Sequence, residues 1–217
     1  MKWYNIAKQN VINVVEEKKY RDVYILDEIG GYGVYAKNFI RELSEIDADV
    51  INLHIDSAGG SIIDGIAIFN ALRGNKAEIH TYVDGIAASI ASVIFLAGDK
   101  RYIPENAGIF THLPMVGAMD MPNRKDLQEA QESLDQFERL LINIYSKYTG
   151  NDEETVRSWM ENETWFWGAE AVQAGFATEV LEQVAMVARL KDLQRYDFAA
   201  SLPYAAGGDN ITQKENS

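Results

Sequence analysis

The spacing of hydrophobic positions changes several times along the chain, and the changes divide it into elements. Asp22 to Leu26 (DVYIL) is a β-branched and aromatic run that predicts a strand, with DEIGGYG as the turn after it. From Val34 to Ile46 the residues Phe39, Ile40, Leu43 and Ile46 recur at helical spacing, whereas Asp49 to Asp56 (DVINLHID) alternates and sets Ile51, Leu53 and Ile55 on one side. Ile62 to Arg73 is helical again and Glu78 to Val83 is again a strand. Strands that alternate with helices in this way imply parallel pairing through right-handed crossovers, which is the α/β class.

The stretch from Thr81 to Pro114 predicts the part around which the rest is organised. Asp84 and Gly85 close an apolar strand, and Ala87 and Ala88 form a small-residue turn into Ser89. An apolar helix runs from Ser89 to Ala97, and a second strand ends in His112. The loop MVGAMDMP then leads into Arg124 to Tyr148, where Leu127, Ala130, Leu134, Phe137, Leu141, Ile144 and Tyr148 lie on one helical stripe. Such a stripe packs on the chain's own core or on a neighbouring subunit. Gly150 ends this helix. Asn151 with Glu154 forms a capping-box pattern for a further helix that buries Val156, Trp159 and Met160. TWFW, the short helix GAEAVQAG and the strand-like FATEVLE complete the compact part. The expected organisation is an N-terminal segment over 1–21, one domain over 22–188 and a polar, Gly-containing, loosely ordered tail over 189–217.

Composition narrows the function. With 20 Lys and Arg against 33 Asp and Glu in 217 residues, the net charge is −13, which disfavours a nucleic-acid partner. The chain has no cysteine, so neither a disulfide framework nor thiolate chemistry is available. No apolar run reaches the length of a membrane span, and MKWYNIAKQNVINVVEEKKY lacks the continuous apolar core of a secretory signal. A cytoplasmic location without membrane association is expected. The three histidines are scattered over separate strands and there is no HExxH, so no metal and no cofactor are expected.

Among those histidines, His54 and His80 lie inside alternating strands, while His112 lies at a strand end, where functional side chains are commonly displayed. Ser89 at a helix N-terminus is either an N-cap or a nucleophile favoured by the unpaired N–H groups there. Acylation of a serine needs a base, a group that orients the base, and N–H donors for the oxyanion. The turn Ser57-Ala58-Gly59-Gly60-Ser61 offers such donors, the Gly60 amide pairing with that of Ile90, or is a plain strand-to-helix turn. A nucleotide-binding alternative rests on Gly31 to Ala36, which fits GxGxxA with Asp56 ending the next strand, but Asp27 and Glu28 precede those glycines where phosphates would approach.

Taken together, INLHIDSAGGSIIDGIAIFNALR, YVDGIAASIASVIFLAGDKRYIPENAGIFTHLP and ETWFWGAEAVQAGFATEV resemble the Clp protease proteolytic subunit (ClpP) family of serine peptidases. They look closest to the ClpP-like proteins of tailed phages and prophages, which process head or scaffold proteins during capsid assembly. The resemblance spans roughly Asp22 to Glu182. It implies a crotonase-like spiral of ββα units with a projecting handle helix, a homo-oligomeric ring, and a protein or peptide substrate. It further implies Ser89 as nucleophile, His112 as general base, Gly60 and Ile90 as oxyanion amides, and Ser61 and Ile62 as the start of the substrate-pairing segment. Met115 to Met121 resemble the handle region. The family's third triad member is usually an aspartate twelve residues before the glycine of its EAxxxG helix, and this count reaches Glu163, with Glu161 and Asn162 as neighbours able to serve. The proline of the family's S-P-G-G turn is here Ala58. ATPase-docking segments are not recognisable near the N-terminus, so an unfoldase partner stays open. The remaining alternatives are an ATPase-coupled or general intracellular ClpP-like peptidase, an acyl-CoA enzyme on the same fold and an inactive assembly protein.

Overall fold

The computed structural model describes residues 18–117 and 120–181. The predicted tail over 189–217 and most of the predicted N-terminal segment lie outside the described residues. The elements follow in the order β1 (Tyr20–Ile25), α1 (Ala36–Ser44), β2 (Val50–Ser57), α2 (Ile62–Arg73), β3 (Glu78–Ala88), α3 (Ile90–Phe95), β4 (Lys100–Pro104) and β5 (Gly108–Thr111). Then come α4 (Arg124–Thr149), α5 (Glu153–Glu161), β6 (Thr164–Trp167), α6 (Ala169–Gln173) and β7 (Glu179–Leu181).

The strands form one sheet in the order β1-β2-β3-β4-β7, parallel throughout, with β5 joined to β3 and the antiparallel β6 joined to β5. The period-two pattern of the sequence explains its faces. Val23, Ile25, Leu53, Ile55, Ile79 and Val83 turn inward beneath the helices and are buried. On the other face the register aligns Tyr24, His54, Tyr82 and Tyr102 across four strands. Their rings stack with centroids 4.9, 4.8 and 4.8 Å apart. His54 is held in this stack, with Nδ1 2.9 Å from Asp84.

Strand β3 departs from expectation in a way that matters for the site. The predicted strand closes at Asp84 and Gly85, but β3 continues to Ala88, because its far half gains a second partner. Residues His80 to Tyr82 pair with β4, and Ile86 to Ala88 pair with β5. Gly85 accommodates the passage, since a Cβ there would stand 2.5 Å from the Asp56 carboxylate. The extension carries Ser89 to the C-terminal end of the strand, alongside β5.

Two helix expectations are also corrected. The N-cap of α5 is Asp152, whose carboxylate accepts from the Thr155 amide, whereas Asn151 instead bonds Thr149 and Ala174. In α4 only Leu141 of that stripe is buried, together with Ile142 and Tyr145 from beside it, while Leu127 is 55% exposed. The capping box of Asn123 with Asp126 opens the helix, and Gly150 closes it in the left-handed region at φ 81°.

Candidate active site

Ser89 and His112 each stand one residue beyond the C-terminal end of a strand, and β3 and β5 are adjacent and parallel. The pairing of Ala88 with Phe110, together with the Ser89 amide donating to the Phe110 carbonyl at 2.9 Å, fixes the offset between the two side chains. His112 Nε2 lies 2.8 Å from Ser89 Oγ. The imidazole stacks on Phe110 at 5.5 Å, and Phe110 stacks in turn on Trp165 at 4.6 Å, which sets the plane of the histidine ring.

The serine occupies a backbone conformation unusual for its type, with φ 54° and ψ −128°. Such a conformation is retained only where surroundings over-determine it. Its carbonyl accepts the Ser92 hydroxyl at 2.6 Å, and Ser92 Oγ lies 2.7 Å from the hydroxyl of Tyr145, which reaches in from α4. Burial pushes the Tyr145 phenol up to about 12, so it stays neutral at ordinary pH. Ser89 does not cap its helix through its side chain, so its hydroxyl stays engaged with His112.

The glycine turn completes the arrangement. Ile29 clamps it from both sides, its amide donating to the Gly59 carbonyl and its carbonyl accepting from the Ser61 amide, each at 2.7 Å. Gly59 must lack a side chain here: at φ 96°, a Cβ would stand 2.7 Å from Ser89 Cβ and equally close to the Ala88 carbonyl oxygen. The Gly60 and Ile90 amides donate to no described residue, yet both border the same cavity of about 420 Å³ as Ser89 and His112. Two uncommitted N–H groups beside a serine paired with an imidazole form an arrangement suited to acyl transfer through a tetrahedral oxyanion.

Ser89, His112, Gly60, Ile90 and Ile62 therefore meet around one cavity. Ser61 stands apart: its amide is committed to Ile29, and its hydroxyl caps α2 by accepting from the Asp64 amide. Glu163 is carried beside His112 by the antiparallel pairing of Thr111 with Thr164 and has φ 50°. Among the described residues its carboxylate makes no hydrogen bond to His112. Nor does either alternative: Glu161 makes none to the ring, and the Asn162 amide group bonds the Ser158 carbonyl at 2.7 Å. Sequence reasoning did not anticipate Glu28, Leu141 and Tyr145 in the cavity wall, or the Ser92 contact. Ser92, three positions after the nucleophile candidate inside an apolar run, was the available signal.

The nucleotide alternative meets a physical obstacle. In the Gly31 to Ala36 loop the Gly33 amide donates to Gly30 and the Val34 amide to Glu28, while the Glu28 carboxylate approaches to 3.1 Å from where a Cβ on Gly31 would stand. Two of the loop's amides are thus committed to the backbone, and a carboxylate stands where a phosphate would approach. Among the described residues there is no group of three or more potential metal ligands and no helix long and apolar enough to cross a membrane.

Comparison with known proteins agrees with this geometry. Residues 9–184 match the family model described as Clp protease. An ATP-dependent Clp protease proteolytic subunit of Streptococcus mutans is 31% identical over 153 residues, 68% of this chain and 78% of that protein. The corresponding subunit of Bdellovibrio bacteriovorus is 32% identical over 135 residues, 61% of this chain and 64% of the relative. Among solved structures, a ClpP1 mutant from Listeria monocytogenes superposes with a TM-score of 0.66, covering 75% of this chain and 91% of its own at 22% identity, which supports the ClpP and crotonase-like α/β fold.

Proposed function

The chain belongs to the Clp protease family and is a serine-type peptidase, and from that premise we propose that Ser89 is its nucleophile and His112 its general base in endopeptidase cleavage of protein substrates. His112 accepts the Ser89 proton through Nε2 as Oγ attacks a peptide carbonyl. The carbonyl oxygen moves between the Gly60 and Ile90 amides. The imidazolium then protonates the leaving amine, and water, deprotonated by the same imidazole, releases the acyl group. Glu163, which precedes Thr164 as His112 follows its partner Thr111 in the β5–β6 register, is assigned to orient the ring. The observation that carries the reading is the 2.8 Å contact between His112 and a serine held at positive φ.

A fluorophosphonate probe tests it. Ser89 is expected to be the labelled residue by mass spectrometry, with labelling lost in Ser89→Ala and reduced at least about 10³-fold in His112→Ala, both variants melting near the wild-type temperature. Labelling elsewhere, or wild-type turnover by Ser89→Ala, overturns the assignment.

The copies are proposed to assemble into a homo-oligomeric ring. For the substrate, the motif runs around Gly60, Ser89 and His112 support a capsid or scaffold protein processed during phage head assembly. A second reading, a general peptidase coupled to an ATPase, is favoured by the relatives, which are named ATP-dependent proteolytic subunits. Processing of a scaffold protein without nucleotide supports the first, and casein degradation that requires a Clp-type unfoldase with ATP supports the second.

A further inference from the structure

We propose that Glu28 makes the cavity beside Ser89 a subsite for a cationic side chain, lysine or arginine, of the peptide substrate. This rests on the serine-nucleophile reading above.

The position of Glu28 is set by the backbone. Its carbonyl accepts from the Val34 amide at 2.7 Å, and its neighbour Ile29 clamps the glycine turn on both sides. The Glu28 Cγ consequently lies 3.0 Å from where a Cβ on Gly60 would stand, next to an amide assigned to the oxyanion. The carboxylate has no hydrogen-bond or ion-pair partner among the described residues. Glu28 borders the cavity with Ser89 and His112, its Cγ toward Gly60 and its carboxylate toward Gly31, and the rest of the wall includes apolar side chains such as Ile62, Met115 and Leu141. Among the described residues no lysine or arginine borders this space.

Two physical consequences point the same way. While the cavity is open, water solvates the carboxylate. A bound peptide displaces that water, and a carboxylate left against apolar substrate atoms is destabilised unless a cation replaces the lost hydration. In the reaction itself, negative charge grows on the substrate carbonyl oxygen near the Gly60 amide, where an unneutralised carboxylate opposes it. A substrate cation paired with Glu28 removes both penalties, the first on binding and the second in the transition state. Neutral side chains leave both in place, and acidic ones increase them.

The test uses the full-length assembled protein and fluorogenic peptides that differ at one position on either side of the scissile bond, carrying lysine, norleucine or glutamate there. Wild type is expected to favour lysine over norleucine at one position by about tenfold in kcat/KM. Glu28→Gln, which preserves shape, should cleave the norleucine peptide faster than wild type and bring the preference within about twofold, and Glu28→Lys should invert it toward glutamate. The rate of fluorophosphonate labelling at Ser89 is measured alongside. An unchanged preference in both variants, with Ser89 still labelled, overturns the subsite and leaves the nucleophile assignment standing. Absence of Ser89 labelling in wild type overturns both.

Discussion

Gly59 shows at a single position how much of this site depends on backbone rather than side chains. A methyl group there collides with Ser89 Cβ and the Ala88 carbonyl, and φ 96° adds strain of about 1–3 kcal/mol. Gly59→Ala is therefore expected to slow fluorophosphonate labelling at least about 100-fold, roughly the effect of losing one oxyanion donor. A wild-type labelling rate in a folded Gly59→Ala protein would show that the turn can yield without moving the serine. A second residue governs acid stability far from the site. The His80 imidazole bonded to Glu78 at 2.9 Å, with Lys100 beside it, holds the Glu78 carboxyl down to about 2 from an ordinary 4.5. Because the folded value is the lower one, this stabilisation is complete above about pH 4.5 and is lost as pH falls toward about 2. Urea midpoints measured across that window should decline less steeply in Glu78→Gln than in wild type.

Among the elements, α4 has two functions along its length. Its last turns belong to the core, where Ile142 is 2% exposed and Tyr145 reaches the nucleophile turn through Ser92. Its first turns expose Leu127 and leave Leu134 and Phe137 half-buried, an apolar stripe that the proposed ring would cover. Ile142→Ala should cost about 2–5 kcal/mol in denaturant unfolding. Leu127→Lys should leave the circular dichroism spectrum unchanged while shifting native mass toward smaller species. If that variant assembles as wild type does, the stripe is not the contact between copies. The stripe's period was plain in the sequence, but periodicity reports only which residues share a face. What covers that face depends on neighbours that local pattern does not encode. For the same reason the local pattern ends β3 at Asp84 and Gly85, short of Ala88: strand length is set by available partners, and β5 begins twenty positions after the end of β3.

At the scale of the whole molecule, the parallel sheet gathers the chemistry from distant parts of the chain. Gly60 follows β2, Ser89 follows β3 and His112 follows β5, so all three emerge at the C-terminal ends of parallel strands, where open α/β sheets place their sites. The matched family covers 9–184, and the related solved structure shares this arrangement of strands at 22% identity. Such identity leaves the fold recognisable because burial pattern and glycine positions constrain it more than individual surface residues do.

The sequence by itself determined the α/β class, the alternation of strands and helices, and the residues offered for chemistry, because hydrophobic period and turn residues act over a few positions. The tertiary structure alone decided the rest. It brought His112 Nε2 to 2.8 Å from Ser89 Oγ, left the Gly60 and Ile90 amides uncommitted, and tied up the amide of Ser61. It kept the Glu163 carboxylate out of hydrogen-bond contact with His112 and set Glu28 against the glycine turn. Each of these is a relation between residues far apart in the chain, fixed by strand register and close packing, and no local pattern carries that information.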